Sequence, residues 1–294
     1  MTTKVFYHAN CYDGFGAAFM AWKYYQGLKK KTKVEYIPCF YSDPVPNVKV
    51  GDSVFVVDFS FKREVLENWA ATPNLSLVVL DHHKSVQADI ADLPYVTFDL
   101  KHSGAMLAYN HFFRNGGEDL KLEQLAAYLE DRDLWKFSLE ETRQFHAGLC
   151  SYPMDFGVWD DLDIDKVIME GGPLLRYQET LTKSLADQVN FVEIGGYMVP
   201  MVNISLLFSE VPTELLKRHP EALFAAYRYE RKDGFVQYGL RSRSEFDVSA
   251  IAKQYGGGGH QQAAGFEIKK EVHNHLGQLT HEVIQSKVWT GVNE

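Results

Sequence analysis

The chain has 294 residues, 46% hydrophobic and 23% charged, the profile of a globular protein with one large or two medium domains and room for a sizeable core. A formal net charge of −9 argues against a broad basic face that grips long duplex nucleic acid, while leaving room for a local basic pocket. Three scattered cysteines (Cys11, Cys39, Cys150) with no CxxC pair make neither a disulfide framework nor a zinc ribbon, no apolar run reaches the roughly 20 residues that cross a membrane, and "MTTKVFYHAN" lacks a signal core, so the expectation is a cytoplasmic protein with no membrane partner.

The first 145 residues alternate short apolar runs with helical patterns. "KVFYH" (4–8), "VEYIPC" (34–39), "SVFVVDF" (53–59), "LSLVVLDH" (75–82) and "YVTFDL" (95–100) read as strands. Between them, "FGAAFMAWKYYQGL" (15–28), "KREVLENWA" (62–70) and "SGAMLAYNHFFRN" (103–115) carry apolar residues at helical spacing, and "LEQLAAYLEDRDLWKF" (122–137) adds an amphipathic helix. Continuously apolar strands separated by helices predict a parallel sheet covered on both faces, hence an α/β fold. Residues 146–194 read as a helical connector, with one helix over "PLLRYQETLTKSLADQVNFVEI". From about 195 the pattern changes to strand "GYMVPMVNI", helix "SEVPTELLKRH", strands "ALFAAYRYE" and "FVQYGLRSR" around "KDG", helix "VSAIAKQYG", the run "GGGGHQQAAGFEI" and a terminal helix. Three segments follow: 1–145, 146–194 and a smaller α/β domain at 195–294.

In parallel sheets ligands bind beyond the carboxyl ends of the strands. His8 ends the first strand, Asp58 the third, and Asp81, His82 and His83 the fourth, so three strands deliver acids and imidazoles to one sheet edge. Asp131 and Asp133 follow at the end of the amphipathic helix. Singly, each residue has an ordinary structural use as a cap, a satisfied histidine or a solvated charge. Together they make a carboxylate and imidazole set suited to Mn²⁺, Zn²⁺, Fe²⁺ or Co²⁺ better than Ca²⁺, with the oxygen-rich mixture leaning to manganese. Two metals about 3.5–4 Å apart favour phosphoester hydrolysis.

A second signal is "GGGGHQQAAGF" (256–266). Its glycines permit positive φ and close approach to an anion, and Gly257, Gly258, Gly259 and His260 read as a phosphate nest, with Gly256 equally placed to stop a helix. Arg241 and Arg243 flank it and could pair with phosphate or simply end a strand. Tyr12, Phe15 and Trp135 lie near the proposed ligands as aromatics that could stack on a base.

The ordered set "HANCYDGFGAA" (8–18), "VVDF" (56–59), "LDHHKS" (80–85), "YLEDRDLW" (128–135) and "GGGGHQQAAGF" resembles the DHH superfamily of phosphoesterases, in its branch with a C-terminal DHHA1 domain, which includes nano-RNase, RecJ-like and exopolyphosphatase-related members. The resemblance spans nearly the whole chain. It implies a two-domain protein with an active-site cleft, a DHH domain binding two Mn²⁺ ions (Zn²⁺, Co²⁺ or Mg²⁺ as alternatives) and a DHHA1 domain binding substrate. It implies His8, Asp13, Asp58, His82 and one of Asp131 and Asp133 as metal ligands, with Asp58 bridging. It further implies Asp81 as a support for its neighbours, His83 facing the phosphate, and Arg241 and His260 as substrate-binding residues. The first motif departs from the family pattern: "NCYDGF" offers Asp13 but has Cys11 where a second aspartate aligns, which would favour softer metals.

The expected function is hydrolysis of a phosphodiester in a linear dinucleotide or nano-RNA by metal-activated water, with Asp58, Asp81 and His83 as the catalytic residues. An exopolyphosphatase or phosphomonoesterase, a 5′ single-strand exonuclease and a non-catalytic nucleotide sensor are the competing readings. The partner is a small nucleotide or short oligonucleotide; a homodimer is compatible with the sequence.

Overall fold

A computed structural model describes residues 2–29, 32–40, 43–113, 119–243 and 245–270; the expected terminal helix lies outside them. The chain divides into two units, Met1–Leu175 and Arg176–Glu294. The expected connector at 146–194 is therefore shared between them. Residues up to 175 join the first unit because Trp159 is buried against Phe15 and Phe19, alongside Leu149, Leu162 and Val167.

The first unit runs β1 (Thr3–His8), α1 (Tyr12–Gly27), β2 (Val34–Cys39), β3 (Ser53–Val57), α2 (Arg63–Ala70), β4 (Ser76–Asp81), α3 (Gln87–Ile90), β5 (Val96–Phe98), α4 (Gly104–Phe113), α5 (Leu120–Asp133), α6 (Thr142–Leu149) and α7 (Phe156–Asp160), followed by α8 (Ile164–Ala186). The sheet is parallel in the order β2-β1-β3-β4-β5, as the continuous apolar strands predict. Neighbouring residues of a strand face opposite layers. Val5, Val57 and Leu80 enter a core with α1, α4 and α5, while Phe6, Val56 and Val79 enter one with Leu66, Trp69 and Ile90. Each such fully buried side chain contributes about 1.5–3 kcal/mol. The strand order reverses between β1 and β3, the switch point at which open parallel sheets take ligands.

The second unit runs β6 (Asn190–Ile194), β7 (Tyr197–Asn203), α9 (Glu210–Arg218), β8 (Phe224–Glu230), β9 (Phe235–Ser242), α10 (Val248–Gln254), β10 (Gly258–Gly259) and β11 (Ala263–Lys269). Its sheet has the order β10-β11-β9-β8-β7-β6 and is antiparallel except between β7 and β8. The helix read over "PLLRYQETLTKSLADQVNFVEI" stops at Ala186, and residues 190–194 form β6 instead. The cause is legible in hindsight: Gly195 and Gly196 both take positive φ (61° and 83°), the two-residue hairpin signature that pairs "NFVEI" with "YMVPM". Among the described residues no helix is long and apolar enough to cross a membrane.

Candidate metal centre

The chain turns sharply where β1 and β3 end. Asn10 and Asp58 adopt the left-handed region, with φ of 54° and 52°, a conformation that Asn and Asp tolerate better than most residues. The Asp58 amide donates to Leu80 O at 2.9 Å, which fixes the end of β3 against β4. The Asp58 side chain, 1% exposed, is thereby held beside the residues that follow β4.

His82 is the hub. Its Nε2 lies 2.9 Å from Asp58 Oδ1, 3.6 Å from Asp13 Oδ2 and 3.7 Å from Asp133 Oδ2. Three carboxylates from β3, α1 and α5 thus converge on one imidazole. Asp13, Asp58 and His82 can present their ligand atoms within 4.8 Å of one another, as can His8, Cys11 and Asp58. Asp58 is common to both groups, the arrangement required of a bridging ligand.

Gathering so much negative charge in a buried place is costly, and the protonation states record it. Burial, then the Asp58 and Asp133 carboxylates, push Asp13 well above the ordinary range. Burial also raises Asp133, against the pull of His82. On Asp58 burial is outweighed by its contacts with His8 and His82, which hold its carboxyl well below the usual range. Burial alone would lower His82, but the hydrogen bond to Asp58 and the charges of Asp133, Asp58 and Asp13 push it up to about 10. The protonated imidazole is the positive charge this cluster recruits, and a divalent cation answers the same demand.

The donor atoms fit such a cation. Asp58 Oδ2 and Asp133 Oδ2 are buried and accept no hydrogen bond, which is what carboxylate oxygens reserved for a metal look like. Both oxygens of Asp13 accept backbone bonds, from Gly104 N at 2.6 Å and Ala105 N at 3.0 Å, so the start of α4 orients this carboxylate. Gly104, a residue the sequence reading passed over, is indispensable to that approach. A Cβ there would lie 2.3 Å from Asp58 Cβ and 2.7 Å from its Oδ1. The "HSG" that follows β5 was its only signal, a glycine opening a helix directly beyond a strand of the sheet.

Asp81 touches none of these oxygens. Its Oδ1 accepts from the amides of His82 (2.7 Å) and His83 (3.1 Å) and pairs with His83 Nδ1 at 2.7 Å. It therefore aims the imidazole of His83 and shapes the backbone that presents His82. Burial opposes charge on His83, but Asp81 prevails and raises its pKa.

Of the acid pair in the last turn of α5, the structure brings Asp133 into the cluster and leaves Asp131 out. Asp131 Oδ1 accepts from Ser138 N and Oγ, and its Oδ2 from Leu139 N and Thr142 Oγ1 at 2.6 Å. Its oxygens lie outside the cluster and hold residues 138–142 instead. Asp131→Ala should cost about 1–3 kcal/mol, because the buried Thr142 hydroxyl would keep only its longer bond to Leu139 O at 3.2 Å and the Ser138 and Leu139 amides would lose their charged acceptor; a thermal melt reads that loss, and metal stoichiometry should stay unchanged.

Phe15 is 4% exposed and packs on Phe156 and Trp159, and Tyr12 packs on Trp159 and His146, so both are core rather than base-stacking residues. Trp135 differs. It is half-buried two residues beyond Asp133, at φ 56°, with the Arg132 guanidinium 4.2 Å from its ring centre.

In the second unit the glycine run has a packing explanation. Gly256 (φ 78°) follows α10, and Gly258 and Gly259 pair with Gly265 and Ala264 in the β10–β11 hairpin. A Cβ on Gly257 would lie 2.0 Å from Gly265 O, and one on Gly259 2.6 Å from Ala263 O. His260 closes this hairpin, its amide donating to Ala263 O. Arg241 donates through Nε and Nη2 to Ser209 Oγ, both at 3.2 Å, and Arg243 donates to the carbonyls of Leu216 and Pro220, near the end of α9. Arg243 is a helix-end tie.

Residues 208–286 match the DHHA1 domain family model. The chain is 30% identical over 283 residues to the uncharacterized protein R106 of Acanthamoeba polyphaga mimivirus, spanning 89% of this chain and 66% of that protein's length. Two solved structures share the fold: the pGpG-specific phosphodiesterase PggH from Vibrio cholerae (TM-score 0.51, 13% identity, 99% of each chain) and RecJ in complex with Mn²⁺ from Thermus thermophilus (TM-score 0.50, 15% identity, 98% of this chain and 52% of that one). The chain therefore carries a DHHA1 domain over residues 208–286 and shares the fold of these two structures.

Proposed function

We propose that this protein is a metal-dependent phosphodiesterase acting on linear dinucleotides or nano-RNA of similar length. The observation that carries the reading is the convergence of Asp13, Asp58, Asp133 and His82 at the β1/β3 switch point, with buried carboxylate oxygens that accept no hydrogen bond. His8, Asp13, Asp58, His82 and Asp133 would hold Mn²⁺, with Asp58 shared between two ions. Divalent cations held there supply charge neutralisation at a phosphoryl oxygen and lower the pKa of an attacking water. The chain's own residues do the rest. Asp13, pinned by the α4 amides, and Asp58, fixed by the turn after β3, keep the ligand set from collapsing. His83, whose pKa Asp81 raises against the opposing effect of burial, would donate to the phosphate as negative charge builds on it. Trp135 offers a base a flat face next to Asp133. In the C-terminal unit Arg241 and His260 are the candidate phosphate contacts.

A small substrate suits the composition, since a net charge of −9 opposes the many phosphate contacts that long nucleic acid needs. The name of one structural neighbour, a pGpG-specific phosphodiesterase, points the same way. The test is a Mn²⁺ assay over linear and cyclic dinucleotides, a single-stranded 20-mer, a phosphomonoester nucleotide and polyphosphate. Linear dinucleotides should turn over fastest, and Trp135→Ala should lower their kcat/KM about tenfold, one base-stacking interaction being worth about 1–3 kcal/mol. An abasic dinucleotide should not notice that change. Fastest turnover of polyphosphate would overturn the reading.

A further inference from the structure

Cys11 occupies an unusual place. It is the residue before α1, yet cysteine is a poor helix cap and its side chain makes no capping hydrogen bond. Burial acts on its thiol most, and the Asp58, Asp133 and Asp13 carboxylates bear on it next, so it lies among the acids of the cluster. It is partly exposed, so a cation can reach it. Asn10, in the left-handed region at φ 54°, turns the chain after β1 so that Cys11 comes beside His8. The thiol, a His8 ring nitrogen and an Asp58 oxygen then lie within 4.8 Å of one another. Asp58 Oδ2, on the 1%-exposed side chain, is buried, with His8 Nδ1 3.6 Å from it.

We propose that His8, Cys11 and Asp58 form a thiolate-containing metal subsite that prefers a thiophilic divalent cation such as Zn²⁺ or Co²⁺, beside the oxygen-rich Asp13, Asp58, His82 and Asp133 subsite that suits Mn²⁺. The inference rests on the metal reading above and sharpens it. One subsite offers nitrogen, sulfur and oxygen, the other three carboxylates and one imidazole, and the softer set selects the softer ion. On binding, the Sγ–H proton leaves to solvent and the sulfur lone pair goes to the metal, so occupancy releases a proton. The centre is then mixed, each ion meeting its own donor set across the shared Asp58.

The test uses the full chain and Co²⁺ alone as probe. Titration should produce the intense near-ultraviolet band of a cobalt thiolate, saturating at one ion per chain, and Co²⁺ should protect Cys11 from alkylation. Cys150→Ser should keep the band, Cys11→Ser should lose it, and Cys11→Asp should lose it while retaining two divalent ions. Cys11→Asp should also shift the Zn²⁺-to-Mn²⁺ affinity ratio toward Mn²⁺ by at least about tenfold, the scale on which ligand-shell changes move metal affinity. Two Mn²⁺ or Co²⁺ bound without a thiolate band, or a band that survives Cys11→Ser, would overturn this proposal and leave the metal-centre reading standing. No divalent ion bound by wild type or Cys11→Asp would overturn both.

Discussion

Asp58→Asn should reduce Mn²⁺-dependent hydrolysis at least about 10³-fold in kcat, since several kcal/mol of charge stabilisation would depend on the ions this carboxylate is proposed to hold. Asparagine is the informative replacement. Asp58 has φ 52°, a conformation Asn also tolerates, so the turn after β3 survives while the charge is removed. Asp58 is also common to both ligand groups, so the substitution should weaken two ions at once and not one. Isothermal titration with Mn²⁺ and steady-state kinetics on a linear dinucleotide read the two effects. A variant that keeps near-wild-type turnover would remove Asp58 from the centre.

The second large effect is expected from a residue that binds nothing. In Gly104→Ala the new methyl would meet Asp58 Cβ at 2.3 Å and Oδ1 at 2.7 Å, contacts that cannot persist. Either α4 withdraws, taking with it the amides of residues 104 and 105 that orient Asp13, or Asp58 swings away from His82. Both routes disturb two ligands. Overpacking of this kind costs about 1–3 kcal/mol in stability, which a denaturant melt would read. Metal affinity should fall by at least about tenfold, in keeping with the loss of supports around a metal. Unchanged Mn²⁺ affinity would mean that the start of α4 does not position Asp13.

These two residues mark where the sequence was readable and where it was not. Asp58 could be found because a continuously apolar run, "SVFVV", ends at an acid, and parallel strands carry ligands at their carboxyl ends. The same reasoning reached His8 and His82. Gly104 escaped because its role is a distance between two elements far apart in the chain, and periodicity does not report distances. The choice between Asp131 and Asp133 was closed to sequence for a related reason. Both sit in one turn of α5, and only the path of residues 138–142 decides which carboxylate is consumed by local donors. The glycines of "GGGG" mislead in the opposite sense, since their lack of side chains is needed for a tight hairpin whether or not an anion binds there. "NFVEI" was absorbed into the preceding helix because one apolar run cannot distinguish a short strand from a helical end; the Gly-Gly that follows it can.

The electrostatics connect these observations. Asp13, Asp58 and Asp133 are brought from three elements to one point, and His82, its pKa pushed up to about 10, answers their charge together with His8 and His83 at Asp58. A fold that needed only stability would have little use for such a cluster, because an isolated buried charge is expensive and a satisfied one is rarely worth its desolvation. A metal centre accounts for the cluster, for the carboxylate oxygens that accept no hydrogen bonds, and for its position at the switch point of the sheet.

The most direct test is a crystal of the protein grown in Mn²⁺ and measured at the manganese absorption edge. The account predicts an anomalous peak within coordinating distance of Asp13, Asp58 and His82. Peaks found only elsewhere, with Asp58 and His82 still joined by their hydrogen bond, would contradict it.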